Sequence, residues 1–77
     1  MKENVTIEQM IAFIMSMKNL IGEFSVDMYY DDVTSDDNEK YVVKLHGINE
    51  PAIHFRCKDF KEGLNSLFHH LTDKIFK

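Results

Sequence analysis

The run Phe24-Ser25-Val26-Asp27-Met28-Tyr29-Tyr30-Asp31 puts Phe24, Val26, Met28 and Tyr30 at every second position, with Ser25, Asp27, Tyr29 and Asp31 between them. A strand with one buried face requires that two-residue period, because successive side chains leave opposite sides of the backbone. The period returns twice. Tyr41, Val43 and Leu45 alternate with Val42, Lys44 and His46, and Ile53, Phe55 and Cys57 alternate with Ala52, His54 and Arg56. The connections, Asp32 to Glu39 and Gly47 to Pro51, are rich in turn formers and short enough for antiparallel hairpins.

On either side of these strands the period changes to that of a helix. Thr6 followed by Gln9 reads as a capping box, and Val5 can staple onto Met10, so a helix is expected from Ile7. Ile7, Met10, Ile11, Ile14, Met17 and Ile21 share one helical face, with Phe13 and Leu20 widening it, and Gly22 supplies the left-handed stop. After the strands, Asp59 and Glu62 form a second capping box ahead of the stripe Phe60, Leu64, Leu67, Phe68, Leu71 and Ile75. Gly63 lies inside this second helix at a cost of about 1 kcal/mol relative to alanine.

The expected fold class is therefore α+β, in the order α-β-β-β-α. A three-stranded antiparallel meander carries both helices on one face, because only that layering buries both helical stripes and the inward strand residues. Seventy-seven residues support one core, so residues 1–77 are expected to form a single domain. Pairing Tyr30 with Tyr41 sets Asp27 opposite Lys44 and Asp31 opposite Lys40. Centring the second hairpin near Glu50 sets Lys44 opposite Arg56 and His46 opposite His54. On that register Asp27, Lys44 and Arg56 form a charge row on the open sheet face, where Tyr29 and Val42 are exposed neighbours.

The single cysteine, Cys57, leaves no intramolecular disulfide, and a secreted domain this small normally carries several, so a reducing, cytoplasmic setting is expected. The start Met1-Lys2-Glu3-Asn4 lacks the order of a signal peptide, and the apolar run Met10 to Met15 is far short of the roughly 20 residues that cross a bilayer. No membrane association is expected.

The net charge of −4 is unevenly distributed. Residues 23 to 39 hold seven acids, Glu23, Asp27, Asp31, Asp32, Asp36, Asp37 and Glu39, and no lysine or arginine; from Lys40 onward seven bases face four acids. Two of the seven, Asp27 and Asp31, have cross-strand cations in the expected register. Glu23, Asp32, Asp36, Asp37 and Glu39 do not, and they are read as an uncompensated acidic rim. A solvated loop that aids solubility is the plain alternative.

Chemistry-bearing constellations are otherwise sparse. The acidic loop lacks the D-x-[DN]-x-[DN]-G spacing of a calcium loop, with no glycine between Gly22 and Gly47. Cys57 and His54 leave opposite sheet faces, and adjacent His69 and His70 diverge by about 100° on a helix, so no metal site is expected. No nucleophile has a base and an acid placed to activate it, and no glycine-rich loop can cradle a phosphate. No enzyme activity and no cofactor are expected.

In element order the chain resembles the double-stranded-RNA-binding domain over nearly its whole length. Such domains place a basic cluster at the start of the last helix, where this chain has Lys58 and Lys61 beside Asp59 and Glu62. In length, in the stretch Asp31-Asp32 through Asp36-Asp37-Asn38-Glu39, and in lacking catalytic groups, it is similar to small acidic inhibitors of phages and mobile elements, including some anti-CRISPR proteins. That likeness implies a protein that blocks a basic nucleic-acid site on a host enzyme.

The expectation is a non-enzymatic inhibitor or regulator that docks on a basic partner surface, such as that of a nucleic-acid-processing enzyme. Its contacts would be Glu23, Asp31, Asp32, Asp36, Asp37 and Glu39, with Tyr29 as an anchor, and no direct nucleic-acid binding. The alternatives are a nucleic-acid-binding module using Lys44, Arg56, Lys58 and Lys61, and a housekeeping domain that dimerises through a sheet edge. A monomer and a homodimer both fit the sequence.

Overall fold

Thr6 opens the first helix through a reciprocal cap. Its hydroxyl accepts from the Gln9 N–H at 3.1 Å, and the Gln9 side chain accepts from the Thr6 N–H at 2.9 Å. The computed structural model describes residues 5–47 and 50–76. Met1–Asn4, Ile48, Asn49 and Lys77 lie outside the described residues, and with them the reading of the chain's start and the middle of the second hairpin turn.

Helix α1 spans Ile7–Ser16 and a further turn, α2, spans Lys18–Ile21. The expected continuous helix tightens at Met17, whose N–H bonds the Ile14 carbonyl three residues back, and the Ser16 hydroxyl donates to the Phe13 carbonyl. Such local back-bonding competes with the regular ladder and bends a helix. Gly22 ends the segment at φ +93°, a conformation that glycine adopts without strain.

Strands β1 (Phe24–Tyr30), β2 (Tyr41–Gly47) and β3 (Ile53–Cys57) form an antiparallel sheet in the order β1-β2-β3, and helix α3 follows at Phe60–Phe76. A 3-10 turn at Asp37–Glu39 interrupts the first connection. The first register is the expected one, with Tyr30 opposite Tyr41 and Asp27 opposite Lys44. The second is two residues tighter than expected: Lys44 faces His54, Val42 faces Arg56 and Leu45 faces Ile53. A shift of two leaves every side chain on its original face, so hydrophobic parity cannot separate the two registers.

Both helices pack on one face of the sheet. Met10, Ile14 and Met17 from the first helical segment meet Leu64, Leu67 and Leu71 of α3 over Phe24, Val43 and Leu45. Ile14, Leu64, Leu67, Leu71 and Val43 are among the fully buried side chains, and burying each contributes about 1.5–3 kcal/mol. Tyr41 links Tyr30 and Phe60 in edge-on aromatic contacts at 5.1 and 4.9 Å. Two residues expected to widen the buried face of the first helix do not. Phe13 is 54% exposed against Phe68, at 5.3 Å, and Leu20 is also exposed, because among the described residues no further element stands on that flank of the helix pair.

Gly63 marks the closest approach of α3 to the sheet. A Cβ there would lie 2.6 Å from Val43 Cγ2 and 3.5 Å from Cys57 Sγ. The glycine that weakens α3 as an isolated helix is the residue that lets α3 seat on β2.

Candidate functional site

The Asp31–Lys40 connection is folded by its own polar side chains. The Asp31 carboxylate accepts from the Val33 N–H at 3.0 Å, the Thr34 hydroxyl from the Asp36 N–H at 3.2 Å, and the Asp36 carboxylate from the Asn38 N–H at 2.9 Å. These are the local turns that Asp and Thr favour. The base of the connection is closed by the Asp31 N–H on the Lys40 carbonyl at 2.7 Å and by Lys40 Nζ on the Thr34 carbonyl at 3.0 Å.

Arg56 ties this loop to the sheet. Its guanidinium reaches from β3 to the Asp31 carboxylate beyond the end of β1, 3.2 Å away, and so crosses the outer face of β2. Val42 stands on that face between Tyr29 and Arg56 and is fully buried, not exposed as expected. The Val33 N–H first, and the Arg56 guanidinium second, hold the Asp31 carboxyl below its usual pKa.

Several expected features of the acidic rim are corrected. Within it, Asp37 lies 4.0 Å from Lys40 and Glu23 lies 3.5 Å from Lys18; Asp31, outside the rim because its expected cross-strand cation is Lys40, is bonded to Arg56. Glu23 also sits at the other end of β1, separated from Asp31 by the seven residues of that strand at about 3.4 Å each, so it is not part of the same surface. The charge row Asp27-Lys44-Arg56 does not form. The Asp27 carboxylate instead meets His46 Nε2 at 3.0 Å, which also replaces the expected facing of His46 and His54. Long side chains reaching diagonally across the sheet choose these partners, and strand alternation does not specify them.

Asp32, Asp36 and Glu39 have no ion-pair partner among the described residues, and all three are exposed. Beside them lie three of the five large apolar side chains that are exposed among the described residues: Tyr29 at 39%, Tyr30 at 55% and Val33 at 89%. Tyr30 and Val33 were not picked out from the sequence. Tyr30 counts as inward by parity but ends the strand beyond the reach of the helices, and Val33 carried the one available signal, an apolar residue alone among turn formers.

Of the four cations that a nucleic-acid reading needs, Arg56 is engaged by Asp31, and Lys58 lies 3.8 Å from Glu62. No group of three or more His, Cys, Asp or Glu side chains among the described residues is placed to hold a metal ion. No helix among them is long and apolar enough to cross a membrane. Cys57 is buried against α3, where desolvation, and then Glu62 and Asp59, push its thiol pKa up. Compared with models of known protein families, with curated proteins and with solved structures, the chain finds no match in any of the three.

Proposed function

We propose that the chain is a non-enzymatic interaction domain, an inhibitor or regulator that sets its Asp31–Lys40 end against a basic, nucleic-acid-binding site of a partner protein in the cytoplasm. The observation that carries this reading is the coincidence, on one braced loop and the strand leading into it, of carboxylates without an ion-pair partner among the described residues, Asp32, Asp36 and Glu39, with exposed Tyr29, Tyr30 and Val33. Exposed aromatic and aliphatic anchors with charged neighbours are the composition of a docking surface, whereas a loop serving solubility alone gains nothing from Val33 in water.

Each residue has a stated part. Asp32, Asp36 and Glu39 supply the outward field that steers a cationic partner, Asp31 and Lys40 hold the loop's shape, and Tyr29, Tyr30 and Val33 supply apolar contact area. Bracing by Arg56 and by the loop's own turns lowers the ordering cost of binding. The test is capture of basic proteins from a lysate on immobilised wild-type chain and on D32K/D36K/E39K, followed by elution with duplex DNA. The reading predicts prey that the wild type holds, the triple variant loses and DNA releases. Prey held equally by both chains refutes it.

A further inference from the structure

β1 is an edge strand, and its free side has a defined chemistry. The Asp31 N–H bonds the Lys40 carbonyl, so the odd-numbered residues of this strand turn their backbone groups toward β2. In an antiparallel ladder the alternate residues, Val26, Met28 and Tyr30 among them, then aim their N–H and C=O groups at the open edge. The strand has none of the usual edge protections of lysine, proline or short length, running seven residues as FSVDMYY.

The inner side of that edge is apolar and incompletely covered. α1 packs against α3, and between α1 and β1 runs a groove of about 280 Å³ lined by Ile11, Ile14, Met15, Val26, Met28 and Leu64, with Lys18 and Ser25 also at its wall. Val26 and Met28 are only half-buried although they lie on the helix-covered face. The outer side of the edge presents Ser25, Asp27 and Tyr29, all exposed, and leads into the acidic loop.

A second copy of the chain fits this edge poorly. The two-fold pairing that overlaps the whole strand sets Asp27 against the same aspartate of the other copy, at a close, non-hydrogen-bonded position. A strand carrying a cation at that position reverses the sign of the contact.

We infer that the free edge of β1 takes up an extended segment of the partner in which apolar and basic side chains alternate. The backbone pairs with Val26, Met28 and Tyr30, the apolar side chains enter the groove between α1 and β1, and the basic ones face Asp27 and the acidic loop. This deepens the acidic-surface reading and rests on it, because it gives the basic partner a conformation and a place.

The probe is a synthetic nonapeptide alternating lysine and valine, compared with a glutamate–valine peptide and with a block peptide of the lysine–valine composition. Binding is read from amide chemical shifts and from hydrogen exchange of the full chain. The inference predicts saturable binding of the alternating basic peptide, with slowed exchange at Val26, Met28 and Tyr30, and binding at least about tenfold weaker to M28P, which removes one ladder donor and blocks its neighbours. The Met28 N–H faces the edge and not β2, so proline there leaves the native ladder whole. D27K, at an exposed position, loses affinity for the same peptide and keeps the test open should M28P fail to fold.

Equal binding of the glutamate–valine or the block peptide overturns the inference. So does slowed exchange at Val26 and Met28 in the free chain together with a dimeric mass, which would hand the edge to a second copy. Basic peptide that shifts only the 31–40 amides and binds M28P normally overturns strand docking while the acidic-surface reading survives. Absence of any binding by basic peptides overturns both.

Discussion

Replacing Gly63 with alanine sets two effects of known size against each other. Alanine removes a helix-propensity penalty of about 1 kcal/mol inside α3, which by itself would stabilise the domain. The added Cβ, however, falls 2.6 Å from Val43 Cγ2 and 3.3 Å from Val43 Cβ, where carbon atoms rest at about 3.5–4.0 Å. Val43 is fully buried on the central strand and β-branched, so its rotamer cannot readily turn away. Overpacking of this kind costs about 1–3 kcal/mol, so G63A should be net destabilising by about 1 kcal/mol and lower Tm by about 4–8 °C. Urea and thermal unfolding of G63A, V43A and the double variant measure this. In the double variant the 2.6 Å contact is gone and only the 3.3 Å approach to the residue-43 Cβ remains, so it should be more stable than the sum of the single effects by most of the overpacking cost, about 1–2 kcal/mol. Stabilisation by G63A alone, or additivity within about 0.5 kcal/mol, would refute the close approach of α3 to β2.

Two further outcomes follow from the loop and from the buried thiol. The Asp31 carboxyl is held below its ordinary value, so its hydrogen bonds stabilise the folded chain above the usual carboxylate range, and that contribution is lost as pH falls below about 4 through the lowered folded value. Acid unfolding curves of D31N should be flatter than wild type in that window; identical slopes would show that Arg56 and Val33 do not act on this carboxylate. Burial raises the Cys57 pKa, so iodoacetamide should modify the native chain at least about tenfold more slowly than the urea-unfolded chain at the same pH. Equal rates would place the thiol at the surface.

The strands were legible because alternation over Phe24–Tyr30, Tyr41–Gly47 and Ile53–Cys57 is a local property, and the Thr6 cap was legible because its partners are three residues apart. What escaped the sequence depends on distance in space. Parity cannot distinguish Lys44 opposite His54 from Lys44 opposite Arg56. A helical wheel places Phe13 and Leu20 near the apolar face but cannot show that, among the described residues, no further element covers them. Gly63 was legible as a local cost, and its reason, Val43, appears only when α3 meets the sheet.

The acidic site divides in the same way. The density of carboxylates was legible, whereas their partners were set by reach: Arg56 spans the sheet to Asp31, Lys40 turns back to Asp37 and Thr34, and Lys18 takes Glu23. The structure thus narrows the six acids expected to make contact to the three without a cation among the described residues, Asp32, Asp36 and Glu39. It also adds Tyr30 and Val33 beside them.

That narrowed surface is tested most directly by the affinity of the wild-type chain and of D32K/D36K/E39K for a captured basic partner, measured across a range of ionic strength. A docking surface built on these three carboxylates predicts wild-type affinity that falls steeply with added salt, and a triple variant that binds weakly with little salt dependence. Matching affinities and matching salt slopes for the two chains would contradict it.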